Sequence, residues 1–267
     1  MSALEEPKYA WEPITPRGVA VFARASFSRL FAVQCVVAAL ATSAVLWLLV
    51  DGIFPTVESA IDRLPATAEL RAATLLWQGD DPVLLGEGKF LAFTVDLDHG
   101  GALRSPADFQ FELGKKSVRV FSLLGESEFP YPSEYTIALT RAAGRAAWGA
   151  WSPEILGAVA LGTFFGLLLV WAALATIYFL PVRLVCFFTN RDVGMAASWK
   201  MAGAALLPGA LVLTLFVLAY DFGFCDLVQL GFAFGMHLVT GWIYLFVSPL
   251  FLNRAEAPAK TNPFHKK

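Results

Sequence analysis

Only three histidines occur in this chain, and one of them, His237, lies in the middle of a long apolar run. An ionisable side chain in such a run is expensive, which makes it a candidate for proton relay or substrate binding. No Asp, Glu, Lys or Arg lies within any of the apolar runs to partner it. Interhelical hydrogen bonding, to Gln34 or Thr163, is therefore the simpler reading. Ser248 shares a helix face with His237, but at the helical rise the two are about 16 Å apart, too far for a nucleophile and its base. Pro208-Gly209 should kink or break another apolar run near one of its ends. Pro208 and His237 together mark the one transport path that the sequence suggests.

The remaining chemical spacings are weaker. Asp96 and Asp98, followed by Gly100 and Gly101, superficially match a calcium loop. However, Gly100 stands where a third ligand belongs, and Ala107 stands where the closing glutamate is required. A turn after a strand is the better reading. Asp221-Phe222-Gly223 spells a kinase metal motif by chance, since no glycine-rich loop or H-R-D loop accompanies it. G-x-S-x-G, H-E-x-x-H and P-loop motifs are absent, and Cys35, Cys186 and Cys225 are scattered. The sequence thus points to no catalytic residue, no metal site and no cofactor, and the expectation is that the protein is not an enzyme. Gly162/Gly166 and Gly231/Gly235 are small-x-x-x-small pairs of the kind that let helices approach closely, so they are read as packing faces within one chain or between copies.

The composition says where such residues must sit. The 267 residues have 57% hydrophobic and 16% charged side chains, against about 25% charged in soluble domains. Mean hydropathy is +0.60. The net charge of −2 offers no basic surface for nucleic acid. Residues 155–180 carry no charge over 26 positions, about 39 Å of helix, which is enough to cross a bilayer. Residues 30–50 form a similar run of 21. It is longer than the apolar core of a signal peptide and ends in no small-residue cleavage site, so an uncleaved anchor is expected.

The fold class that follows is an α-helical polytopic membrane protein with four transmembrane helices and a small extracytoplasmic α+β domain between helices 1 and 2. In chain order this gives a cytoplasmic lead at 1–29, in which residues from Thr15 to Arg29 could form an interfacial helix, and a first span at 30–50. The exported domain occupies 51–152 and the second span 155–180. A cytoplasmic loop at 181–200 leads to the third span at 201–220. A short outer loop at 221–226, the fourth span at 227–252 and a cytoplasmic tail at 253–267 complete the chain.

Residues 51–152 hold 14 acidic and 9 basic side chains and no cysteine. Within them, a short helix from Pro55 to Arg63, a strand from Leu70 to Trp77 and a strand from Phe90 to Asp96 are expected. The clearest hairpin pairs 109–113 with 117–121 across Gly114-Lys115-Lys116. Pro130 and Pro132 should close the β region, and Ser133 should cap a helix running through Trp148.

Orientation follows from Lys and Arg. The lead has four, the loop before the third span three, the loop before the fourth none and the tail four. Long exported segments are exempt from this bias. Both termini therefore belong in the cytoplasm, with the protein in the inner membrane. Trp47, Trp148, Trp151 and Tyr220 then fall at the outer interface, and Tyr178 and Trp199 at the inner one.

One span, an exported β-containing domain of about 100 residues and three further spans form an order of parts with a known counterpart. The chain resembles four-pass bacterial membrane proteins of unknown function, some of which are called maltodextrin-utilisation, MalA-like proteins. The likeness rests on Phe93-Thr94-Val95-Asp96 with its glycine turn and on the charged loop from Arg183 to Lys200. It extends through Met201-Ala202-Gly203-Ala204-Ala205-Leu206-Leu207-Pro208. The resemblance implies architecture and brings no activity. The expected function is non-enzymatic: an outer domain that senses, binds or scaffolds a cell-envelope partner or ligand. Expected partners are the lipid bilayer, a membrane or envelope protein and a second copy of the chain. A small-molecule transporter component using the third and fourth spans is the alternative.

Overall fold

The computed structural model describes residues 12–254. The first part of the lead, with Lys8, and the tail lysines Lys260, Lys266 and Lys267 lie outside the described residues. In chain order the elements are α1 (Pro16–Val21), α2 (Phe27–Trp47), a π-helical turn (Leu48–Ile53) and α3 (Phe54–Asp62). Strands β1 (Ala68–Arg71), β2 (Thr74–Trp77), β3 (Val83–Glu87), β4 (Leu91–Val95) and β5 (Phe109–Leu113) follow. Next come β6 (Ser117–Ser122), β7 (Gly125–Pro130) and β8 (Thr136–Ala138). The chain closes with α4 (Arg141–Phe188), α5 (Met195–Ala205), α6 (Leu207–Asp221), α7 (Leu227–Val247) and a 3₁₀ turn (Ser248–Phe251).

Among the described residues, four helical stretches are long and apolar enough to cross a membrane: Phe27–Asp62, Arg141–Phe188, Met195–Asp221 and Leu227–Phe251. The first three contain the expected spans 30–50, 155–180 and 201–220 and overrun each of them, and the fourth ends one residue short of the expected 227–252. The first continues unbroken through the π turn into α3. α4 runs 48 residues, about 72 Å, so the expected second span is only its middle. Leu206 separates α5 from α6, two positions before Pro208. Proline lacks the N–H and clashes with the carbonyl four residues earlier, so the break falls where the sequence places it.

The chain divides into two units. Among the described residues, one takes 12–41, 163–216 and 228–254. Its core joins Leu30, Val33 and Val37 of α2 to Trp171, Ala175 and Val182 of α4, and to Met201 through Leu207 and Leu245 of the later helices. Ala38, Ala175, Ala202, Ala204 and Ala205 are fully buried at these crossings, where small side chains let backbones come close. α1 belongs to the same core through Val19 and Ala20, with Phe22 just beyond it. The interfacial helix expected in the lead is thus a single capped turn, with Thr15 Oγ1 accepting from Gly18 N–H at 3.0 Å, seated in the helical core.

The other unit takes residues 42–162 and 217–227 and holds both sheets. The smaller sheet has the order β2-β1-β8, the larger β3-β4-β5-β6-β7. The β5–β6 hairpin has the expected register, Phe109 opposite Ser122 and Leu113 opposite Val118. Three expectations require correction. Leu70 to Trp77 is not one strand but parts of two, because Ala72 and Ala73 adopt φ of 47° and 57° and turn the chain. Pro130 and Pro132 do not close the β region, since β8 follows and pairs with β1. Helix α4 starts at Arg141, eight residues past Ser133; Thr140 caps it, its Oγ1 accepting from Ala143 N–H at 3.3 Å. A β strand paired in a sheet outweighs the local helix signal at Ser133.

β4 and β5 are parallel neighbours. Parallel strands need a crossover of a dozen or so residues, and here it is the irregular segment 96–108. That crossover positions the most polar cluster of the sheet domain.

Candidate functional site

Alternation along β5 puts Gln110 and Glu112 on one face and Phe109, Phe111 and Leu113 on the other. The apolar face stacks Phe111 on Phe93 of β4 at 5.4 Å. The polar face would ordinarily meet water. Instead the crossover lies over it, and Glu112 is fully buried with Gln110 and Thr94 nearly so. Gln110 donates to Thr94 Oγ1 at 3.1 Å and to the Leu103 carbonyl at 3.0 Å, and its own carbonyl accepts from Ser105 N–H at 3.0 Å. Every hydrogen-bonding group of that amide except one carbonyl lone pair is thereby accounted for.

Glu112 is the centre of the row. Arg104 of the crossover donates to Oε2 at 2.7 Å, and His99 Nδ1 lies 2.8 Å from Oε1. His99 Nε2 lies 3.1 Å from Ser117 Oγ, which donates to Glu128 Oε1 at 2.6 Å. Arg119 donates to the other oxygen of Glu128 at 3.2 Å. The chain of contacts runs from the crossover across β5, β6 and β7. Hydrogen bonds of Ser117 and Arg119 hold the Glu128 carboxyl below the usual carboxylate range.

Two local features deliver His99. Asp96 directly follows β4 and accepts from Gly100 N–H at 3.0 Å and Gly101 N–H at 2.8 Å, so the calcium-like spacing is a backbone turn. His99 itself has φ of 53°. Gly114 leaves room for the ring, since a Cβ there would lie 2.0 Å from Nε2. Burial opposes ionisation of Asp96, but the N–H donations of Gly100, Gly101 and Ala102 prevail and lower its pKa. Asp96→Ala should cost about 1–3 kcal/mol. A carboxyl lowered on folding stabilises the fold above its unfolded value of about 3.9 and loses that contribution as pH falls through the folded value. Unfolding of the full-length protein in detergent, followed by tryptophan fluorescence between neutral and acid pH, should show that acid-linked loss. Asp96→Asn should flatten it.

Ser117, His99 and Glu112 stand in the order of a hydrolytic triad. The proton count argues against that chemistry. Ser117 has one hydroxyl proton, and Glu128 receives it, so the lone pair rather than the proton of Oγ faces His99. Ser117 is also buried. The arrangement suits a clamp that fixes the crossover and ties β5, β6 and β7 together.

Comparison with protein-family models, with curated proteins and with solved structures gave no match.

The residues singled out by sequence lie elsewhere. His237 Nδ1 lies against the Phe234 carbonyl of its own helix, rather than against Gln34 or Thr163. Gln34 is buried in α2, with its Nε2 unpartnered among the described residues. Pro208 is buried, and a Cβ on Gly209 would lie 2.3 Å from the His237 carbonyl oxygen. Cβ atoms added at Gly162, Gly166, Gly231 or Gly235 would meet nothing within 4 Å among the described residues. Close packing therefore uses Gly209 and Gly203, and the four paired glycines touch no other helix of the described chain. His99, Arg104, Glu112 and Ser117 went unmarked in the sequence. The only signal for them is the 13-residue interval between two strands that prove to be parallel.

The edges of the large sheet also matter. The β5–β6 hairpin has no free edge, since β4 pairs with β5 on one side and β7 with β6 on the other. The sheet ends in β3 at one edge and β7 at the other, and β7 is the exposed one. All six of its residues are exposed, as are the tip residues Leu123 and Leu124, the latter 97% exposed.

Proposed function

We propose that this is a non-enzymatic, four-pass inner-membrane protein whose sheet domain faces the cell envelope and binds an extended segment of an envelope protein along β7. The observation that carries the reading is β7 itself, a six-residue strand paired on one side and exposed throughout. An open edge presents a row of backbone donors and acceptors to a further strand. Phe129, 57% exposed, offers an apolar anchor beside it. Glu126 and Glu128 disfavour pairing of two identical edges and favour a partner strand with basic side chains. The clamp at Glu112 supports this role by holding β5, β6 and β7 rigid, so that little order is lost on binding.

A transport path through α6 and α7 has less support. The break at Leu206 is filled rather than open, with Pro208 buried and the α7 backbone against Gly209.

The test is in-cell crosslinking of the full-length protein, mild-detergent purification and mass spectrometry of what is retained. A stoichiometric envelope protein crosslinked through residues 124–130 is the expected result. Phe129→Ser should cut its recovery about tenfold, the loss of one anchor worth ~1.4 kcal/mol, while Val83→Ser on the opposite edge, β3, should not. A clean preparation with no crosslinked partner would contradict the reading.

A further inference from the structure

A cavity of about 180 Å³ opens at one end of the helical unit, between α1 with the turn after it and the 3₁₀ turn that ends the chain's last apolar helix. Arg17 and Arg24 line it, together with Val21, Phe251, Leu252 and Asn253. Both arginines are exposed, and neither has a carboxylate partner among the described residues. Their backbone is nonetheless fixed. Val19, Ala20, Phe22 and Ala25 are buried in the helical core. Tyr244 Oη donates to the Ile14 carbonyl, and Lys200 Nζ donates to the Ala25 carbonyl. Two guanidiniums are therefore held at one opening by a rigid segment, and no ion pair among the described residues neutralises them.

We infer that this cavity binds the phosphodiester headgroup of an anionic phospholipid in the cytoplasmic leaflet. The chemistry of the walls selects the ligand. Guanidinium forks match phosphate oxygens bidentately, and the Asn253 amide adds a neutral donor. Val21, half-exposed Phe251 and Leu252 form an apolar side that a free anion would leave unused but the glycerol and first acyl methylenes of a lipid would cover. The place in the chain agrees. Phe27 opens the first apolar stretch and Phe251 closes the last, so the cavity lies where hydrocarbon gives way to headgroups. Basic pockets at that level are the usual sites of anionic headgroups.

The inference rests on the membrane reading above, and the two can fail separately. If alkaline carbonate strips the protein from membranes without detergent, the membrane reading falls. The site is tested on the full-length, delipidated protein in detergent. Native mass spectrometry and intrinsic-fluorescence melting are run with phosphatidylglycerol, with phosphatidylcholine and with inorganic phosphate. Phosphatidylglycerol should be retained selectively and should raise the melting temperature, whereas phosphatidylcholine and phosphate should not. Arg17→Gln/Arg24→Gln should weaken retention at least about tenfold, as expected for losing charge-assisted bonds, while Arg254→Gln should leave it unchanged. Equal retention of both lipids would overturn the proposal, as would a double variant that binds like the unaltered protein. An equal effect of inorganic phosphate would assign the cavity to a soluble anion and also overturn it. The comparison of lipids on the unaltered protein decides the matter even if the double variant fails to fold.

Discussion

Glu112→Gln should destabilise the sheet domain by about 3 kcal/mol and loosen its crossover, the consequence of removing one member of a buried ionic cluster. Glu112 is fully buried and accepts from two directions, Arg104 on one oxygen and His99 on the other. Glutamine keeps the shape but turns one acceptor into a donor, so one of the two neighbours meets an N–H where it needs a lone pair. Arg104 is half exposed and can turn toward water, which limits the loss. His99 cannot, since its ring is confined by Gly114 and only 11% of the side chain is exposed. Hydrogen exchange of the full-length protein should show faster exchange across residues 96–122. Adding Arg104→Leu to Glu112→Gln should recover part of the loss, because the two residues are directly coupled. An unchanged exchange pattern would mean that the cluster holds nothing in place.

Gly209→Leu should be comparably damaging to the helical unit. A Cβ at Gly209 would meet the carbonyl oxygen of His237 at 2.3 Å. That neighbour is backbone, so no side chain can rotate away and α7 itself must shift. Overpacking of this kind costs about 1–3 kcal/mol, and leucine lies at the upper end. The comparison that gives the prediction its force is with Gly231→Leu and Gly235→Leu, whose added atoms enter open space. Thermal melting in detergent, read by size-exclusion yield, should separate Gly209→Leu from the other two by many degrees. If the paired glycines join copies of the chain, their variants alter the oligomeric state and leave the melting of the monomer nearly unchanged.

These two sites also show what the sequence can and cannot reveal. Uncharged runs are visible because a helix in lipid must be apolar on every side. All four candidate spans were legible for that reason, and the break before Pro208 was legible because proline disrupts the helix that precedes it. The β5–β6 hairpin was legible through alternation and its Gly-Lys-Lys turn. The β1–β2 turn was not, because Ala72-Ala73 carries no glycine or asparagine to announce positive φ. Nor was the Glu112 cluster. Phe-Gln-Phe-Glu-Leu declares a polar face but does not say whether water or a polar loop will cover it. That depends on β4 and β5 pairing in parallel, which is a tertiary fact. The Gly-x-x-x-Gly spacing drew attention to Gly231 and Gly235, whereas the close approach falls on Gly209, whose tight neighbour comes from another helix.

The central claim is a four-pass protein with its sheet domain outside and both ends inside, and labelling of single cysteines tests it most directly. With Cys35, Cys186 and Cys225 replaced by serine, Leu124→Cys places a thiol at the 97% exposed hairpin tip, and Asn253→Cys places one just after the last helix. A membrane-impermeant maleimide should label Leu124→Cys in intact cells with a permeable outer barrier, and should label Asn253→Cys only after the inner membrane is opened. Labelling of Asn253→Cys in intact cells, or protection of Leu124→Cys until lysis, would contradict the account.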